Sequence, residues 1–160
     1  MPARRVSPIH IMLGASMDLN CAGPWNGSPR CVLPSVPTSS RPPATILMVE
    51  DEALVRVLGV GMLAHAGFQV IEAVDSDEAL EFLEADSDVQ LLFTDVNLPG
   101  TIDGLALARQ VHSRWPRIGI MVVSGKPLTR PDELPAGSRF YRKPYDADVV
   151  VRHARELTTA

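Results

Sequence analysis

Four β-prone runs in this 160-residue chain end on side chains that can do chemistry. "TILMV" (45–49) is followed by Glu50, Asp51 and Glu52. "VQLLFT" (89–94) runs into Asp95, "IGIMVV" (118–123) into Ser124, and "RFYR" (139–142) into Lys143 and Pro144. Carboxylates gathered at one place repel, and each raises the pKa of the other. A hard divalent cation relieves this. Mg2+ takes oxygen ligands and keeps several of its waters, so it needs only a few carboxylates. A lysine ammonium adds a second compensating charge, and a serine hydroxyl adds a hydrogen-bond donor. Such a set can hold the oxygens of a phosphoryl group beside a carboxylate. Phosphoryl transfer depends mainly on positioning and charge stabilisation, and an aspartate can act as its nucleophile. Each feature also has a plainer reading. Acids after a strand often begin a helix, Asp95 alone could be an N-terminal cap, and Lys-Pro and Ser-Gly pairs are commonly loops and turns. The chemical reading rests on their joint appearance at four strand ends.

The elements that would position these residues follow a regular pattern from Thr45 onward. "DEALVRVLGVGMLAHAG" (51–67) places Leu54, Val57, Leu58 and Met62 on one helical face, with Gly67 as its C-terminal cap. "FQVIEAV" (68–74) alternates as a half-buried strand. Asp75 and Glu78 stand three apart, as in a capping box, ahead of "ALEFLEA". "DGLALARQVHSRW" (103–115) is a helix with Leu105, Ala108, Val111 and His112 on one face, stopped by Pro116. "DADVVVRHARELTT" (146–159) closes the pattern as a helix. Strands alternating with helices imply parallel pairing through right-handed crossovers. The expected fold is α/β, a doubly wound five-stranded parallel sheet. In such sheets ligands gather outside the carboxyl ends of the strands.

Composition sets the limits. A 46% hydrophobic content supports one domain with a proper core. The net charge of −4 gives no reason to expect nucleic acid or an anionic membrane as partner. That average hides a split: residues 1–44 carry +3 and residues 45–160 carry −7. The first segment also holds eight of the fourteen prolines and lacks periodicity, which predicts a disordered Pro/Ser-rich arm, 1–44, ahead of a folded domain, 45–160. A mis-assigned gene start would explain the arm equally well. Cys21 and Cys31 both lie in it without metal spacing and read as free thiols. No apolar stretch approaches the roughly 20 residues needed to span a bilayer, so a cytoplasmic protein is expected.

Residues 45–160 resemble the receiver domain of two-component response regulators. The elements that carry the resemblance are "ILMVEDEALVR", "LLFTDVNLPG", "DGLALA", "VVSG" and "FYRKPY", in order and at suitable spacing. It implies a flavodoxin-like sheet of order 2-1-3-4-5. It implies Asp95 as phosphoacceptor, with a histidine kinase or phosphotransfer protein as donor. Mg2+ would be held by Asp51 directly, Glu50 through water, Asp95 and the backbone carbonyl of Asn97. Lys143 would pair with a phosphoryl oxygen and form a cis bond to Pro144. Ser124 would hydrogen-bond the phosphoryl group, and Phe140 occupies the switching aromatic position. The modified aspartate would then shift a conformational population.

Several departures bear on function. Glu-Asp stands where Asp-Asp is commoner, and "GTI" between Pro99 and Asp103 is one residue longer than usual. Phe140 has no hydroxyl to gate an output contact. The segment 125–138 holds Pro127, Pro131 and Pro135 where a fourth crossover helix belongs, so that helix is expected to shrink to about one turn near Pro131 to Leu134, or to vanish. Asn97 and Lys126, two residues past Asp95 and Ser124, should influence how fast water removes the phosphoryl group. The expectation is a stand-alone phosphoacceptor, not a dedicated enzyme, whose signal is read by another protein. The alternative is a receiver-fold interaction module that is never phosphorylated. An aspartyl phosphohydrolase is disfavoured because Asn97 stands where a second acid would act. A nucleotide-binding sheet is disfavoured because the first strand leads into acids and not a Gly-rich loop.

Overall fold

A strand that is apolar at every position needs cover on both faces, which is the condition of a central strand in a parallel sheet. The computed structural model, which describes residues 5–6, 42–85, 88–128 and 133–159, has this arrangement. In chain order its elements are β1 (Arg5–Val6), β2 (Thr45–Val49), α1 (Ala53–His65), β3 (Gln69–Ala73), α2 (Ser76–Glu84), β4 (Val89–Asp95), α3 (Gly104–Arg114), β5 (Gly119–Ser124), β6 (Arg139–Arg142) and α4 (Ala147–Thr159). The sheet runs β1-β3-β2-β4-β5-β6. Its five long strands are parallel and, numbered among themselves, follow the order 2-1-3-4-5. Strand β1 adds a two-residue antiparallel edge, with Arg5 opposite Ile71 and Val6 opposite Val70. The rest of segment 1–41, including Cys21 and Cys31, lies outside the described residues.

The period of two along each strand sorts side chains between two layers. Leu47, Val49, Leu92 and Val122 face one cluster with Ala79 and Leu83 of α2 and Leu107, Ala108 and Val111 of α3. Ile46, Met48, Leu91, Phe93, Met121 and Val123 face the other, with Val60 and Leu63 of α1 and Val150 and Ala154 of α4. Helix α2 starts as the sequence predicts: Asp75 Oδ1 accepts from the Glu78 N–H at 2.8 Å, and Glu78 reaches back to the Val74 N–H at 2.8 Å. The Gly67 N–H closes the end of α1 on the Ala64 carbonyl at 3.0 Å.

Two sequence expectations about faces need correction. The stripe of Leu54, Val57 and Leu58 on α1 is 61–66% exposed, and Gly59, Val60 and Leu63 are buried in its place. Helix α1 is apolar on nearly every side, so the pattern does not single out one face and the sheet makes the choice. On α3 the buried face is Gly104, Leu107, Ala108 and Val111, while Leu105 and His112 are only half-buried. Between β5 and β6 the described residues contain no α-helix, only a 3-10 residue at Glu133; Pro131 lies outside them. Among the described residues no helix is long and apolar enough to cross a membrane.

The orientation of α1 predicts a contrast. Leu63→Ala should lower unfolding free energy by about 2–4 kcal/mol through cavity formation. Leu54→Gln should stay within about 0.5 kcal/mol of wild type. Urea denaturation of both variants checks the assignment, and comparable losses would contradict it.

Candidate functional site

The carboxyl edge of the sheet delivers the reactive side chains. Glu50 follows β2 and is 2% exposed; Asp95 ends β4 and is 7% exposed. Lys143, just past β6, donates from Nζ to Glu50 Oε2 at 2.7 Å and also to Asp95 Oδ2. One ammonium therefore bridges two buried carboxylates that come from strands paired side by side. Burial raises the pKa of Glu50, because a charge is hard to keep out of water, and the bonded ammonium of Lys143 only partly opposes this. Burial works to lower the pKa of Lys143, but its hydrogen bonds to Asp95 and Glu50 outweigh that, and the net shift is upward. The lysine is thereby held charged.

Backbone contacts extend the strand ladder beyond the strand ends and so fix this edge. The Lys143 N–H bonds the Ser124 carbonyl at 2.8 Å, the Val96 N–H bonds Val123 at 2.9 Å, and the Glu50 N–H bonds Ala73 at 3.2 Å. The Asn97 N–H donates to Asp95 Oδ1 at 3.0 Å, so both carboxylate oxygens of Asp95 are engaged. Ser124 is 3% exposed, and its Oγ accepts from the Lys126 N–H at 3.0 Å rather than reaching Asp95. The Lys126 side chain and Asp51 stand exposed at the rim. The Lys143–Pro144 peptide is cis. Phe140 is half-buried and packs in the cluster shared with α2 and α3, on the other side of the sheet from Tyr145.

Three contributors were not anticipated from sequence. Arg56 on α1 donates to the carbonyls of Glu50 and Asp51 at 2.8 and 3.3 Å and pairs with Glu72 at 3.4 Å. An arginine in a run of apolar residues, six past the first acid, was the available signal. Thr94 Oγ1 bonds the Asp95 carbonyl at 2.9 Å. Gly104 packs directly on Asp95: a Cβ there would lie 1.7 Å from the Asp95 carbonyl oxygen. The start of α3 thus rests against the backbone of Asp95, a contact only glycine permits.

No group of three or more His, Cys, Asp or Glu side chains forms a metal cage among the described residues. Mg2+ does not need one, since it binds through one or two carboxylates and retained waters. The donors at this rim are all oxygens, with two buried carboxylates, an exposed carboxylate at Asp51 and the Asn97 backbone nearby. That chemistry fits a hard cation and offers nothing to a soft one.

Comparison with known proteins agrees with this fold. The family described as response regulator receiver domain matches residues 46–152. The sensor kinase CckA of Brucella abortus (strain 2308) is 35% identical over 120 residues, which cover 71% of this chain and 12% of that protein. Aligned regions thus span only a small part of that relative's length. The crystal structure of a response regulator receiver protein from Sinorhizobium medicae WSM419 superposes with a TM-score of 0.70 at 24% identity, covering 74% of this chain and 96% of that one. The receiver domain from the hybrid histidine kinase CckA gives 0.61 at 31% identity, covering 72% and 99%.

The bridging ammonium predicts a metal-sensitive stability change. In EDTA at neutral pH, Lys143→Met should lower unfolding free energy by about 1–3 kcal/mol, because two carboxylates lose their shared counter-charge. The figure is kept below that of a fully buried pair because the lysine side chain is 22% exposed. Added Mg2+ should narrow the gap. Because the pKa of Lys143 is raised from 10.5, its contribution is present below that pH and lost as pH rises through the folded value. Denaturation curves at several pH values, with and without Mg2+, check both effects.

Proposed function

This chain belongs to the response regulator receiver domain family, and on that premise we propose that it is a phosphoacceptor whose modified residue is Asp95. The observation that carries the reading is the Lys143 ammonium shared between Asp95 and Glu50 at the sheet's carboxyl edge. A carboxylate oxygen of Asp95 attacks the phosphorus of a phosphohistidine on a histidine kinase or phosphotransfer protein. The P–N bond breaks as the P–O bond forms, and the imidazole leaves with the electron pair and takes up a proton. The chain is then a substrate of its donor, not a dedicated enzyme. An acceptor must meet its donor's phosphohistidine, and the cytoplasm is the compartment assigned to that encounter.

Glu50, Asp51, Asp95 and the Asn97 carbonyl are the residues that would hold Mg2+, which when bound neutralises charge on the phosphoryl oxygens. Lys143 is already placed against Asp95 and needs only to transfer one hydrogen bond to a phosphoryl oxygen. Asn97 holds Asp95 Oδ1 through its N–H, and Lys126 holds Ser124 Oγ in the same way. The Ser124 hydroxyl accepts from Lys126 and keeps its own proton to donate, so a phosphoryl oxygen would draw that proton and Ser124 would move toward it. Its carbonyl carries the Lys143 N–H, so that movement is felt at the end of β6, three residues past Phe140. Phe140 then turns to change the face read by a partner protein.

The donor has a place to dock. Leu54, Val57 and Leu58 form an exposed apolar face on α1. It borders a groove of about 380 Å3 lined by Val55, Leu58, Met62, Lys143, Pro144 and Tyr145. The groove runs to the site lysine itself, which suits a donor helix carrying the phosphohistidine.

Two experiments test the reading. Incubation with Mg2+ and a small phosphodonor should label wild type, and Asp95→Ala should abolish labelling; an unlabelled wild type would favour the interaction-module alternative. Leu58→Glu should leave small-donor labelling intact while slowing transfer from the cognate histidine protein by tenfold or more. Equal transfer rates would remove α1 from the docking surface.

A further inference from the structure

The loop leaving Asp95 is one residue longer than the family pattern, and the structure shows where the extra length goes. Residues 96 to 104 form a closed excursion: the Gly104 N–H bonds the Val96 carbonyl at 2.9 Å and the Leu98 N–H bonds the same residue at 3.2 Å. Beyond that neck, among the described residues, the loop tip makes hydrogen bonds to the rest of the fold only at the start of α2. The Thr101 N–H donates to Asp77 Oδ2 at 3.1 Å, and the Ile102 N–H donates to Ser76 Oγ at 3.5 Å. Gly100, at φ +115°, lies so close that a Cβ would sit 2.7 Å from Ser76 Oγ and 3.2 Å from Asp77 Oδ2. Asp77 is not the cap of its helix; Asp75 fills that role. Its carboxylate is free to serve the loop.

We infer that Asp77 is a positioning residue for the metal site: it anchors the lengthened loop on α2 and so sets where Asn97 presents its backbone carbonyl. The inference rests on the reading of Asn97 as a Mg2+ ligand. Asn97 is fixed on one side by its N–H bond to Asp95; the peptide unit that carries its carbonyl is held at the neck by the 3.2 Å bond from the Leu98 N–H to Val96 and then leads into the loop. Without an anchor at residues 100–102 that one 3.2 Å bond must hold the carbonyl's plane against the whole loop, and a cation that tolerates little departure from octahedral geometry is the ligand most sensitive to a small tilt.

Charge and anchoring can be separated. Asp77→Ala removes both the acceptor and a negative charge. Asp77→Asn removes the charge but keeps an oxygen that can accept from Thr101. Mg2+ alone is titrated into the whole chain, following the amide signals of Asn97 and Thr101 by NMR, with melting in EDTA as a check on folding. The expected result is a three- to tenfold weaker Mg2+ affinity in Asp77→Ala, recovery to within twofold of wild type in Asp77→Asn, and similar melting in all three. Equal weakening in both variants would mean that Asp77 acts through its charge alone, and unchanged affinity in both would mean that the loop needs no anchor; either overturns the inference. A wild type that binds no Mg2+ would remove the metal reading beneath it, an outcome distinct from the other two.

Discussion

Two carboxylates and one ammonium share a small volume that is largely closed to water, and the rest of the fold serves that constraint. Burial drives Glu50 toward protonation, and the ammonium of Lys143 opposes it. The partners cannot come from neighbouring positions in sequence. Glu50 follows β2 and Asp95 ends the adjacent β4, whereas Lys143 follows β6, with β5 between. At about 4.8 Å per strand, the lysine backbone stands roughly 10 Å from that of Asp95. A long, flexible side chain can cross that gap provided the end of β5 is low. Ser124, small and buried at that end, leaves the passage open.

This arrangement also limits what a phosphoryl group can do. The ammonium already commits two of its three protons to Glu50 and Asp95, and the Ser124 hydroxyl accepts from Lys126 while keeping its own proton to give. Under the proposed modification of Asp95, contacts would therefore be exchanged at the lysine and added at the serine. The shift it causes is bounded by the difference between the two sets of contacts, which is the condition for a switch that can be reversed. The rigid parts are the strands and the ladder bonds at their ends. The side chains exposed at the rim, Asp51 and Lys126 among them, are where contacts can change.

Much of this was legible in the sequence because uninterrupted apolar runs have few structural solutions. Each central strand could be read with the residue that follows it, and the Asp75–Glu78 cap could be read from its spacing. What could not be read was any feature decided by a tertiary choice. Helix α1 has apolar residues all round, so its inward face was set by the sheet, and the stripe of Leu54, Val57 and Leu58 went to solvent. Arg56 and Thr94 act on backbone carbonyls, which carry no sequence signature. The added residue at Gly100–Ile102 was visible as a departure, but its anchor lies on α2, more than twenty positions earlier. Ser124 was recognisable at its strand end, whereas its partner, the N–H of Lys126, was not.

The two layers of the core give the site two separate audiences. The exposed face of α1 and its groove belong to the layer that holds α4 and Tyr145, and the groove ends at Lys143. Phe140, on β6 and three residues before that lysine, packs into the opposite layer with Leu107, Val111 and Leu134. Period-two alternation enforces this division: a strand cannot send residues at odd separations to the same face. On the proposed function, contacts that would deliver a phosphoryl group and contacts that would read its arrival therefore fall on opposite sides of one sheet. The segment between β5 and β6 borders the reading side, and its described residues form no α-helix. The chemistry at the rim and the surface that would report it are thus built from different elements of the fold.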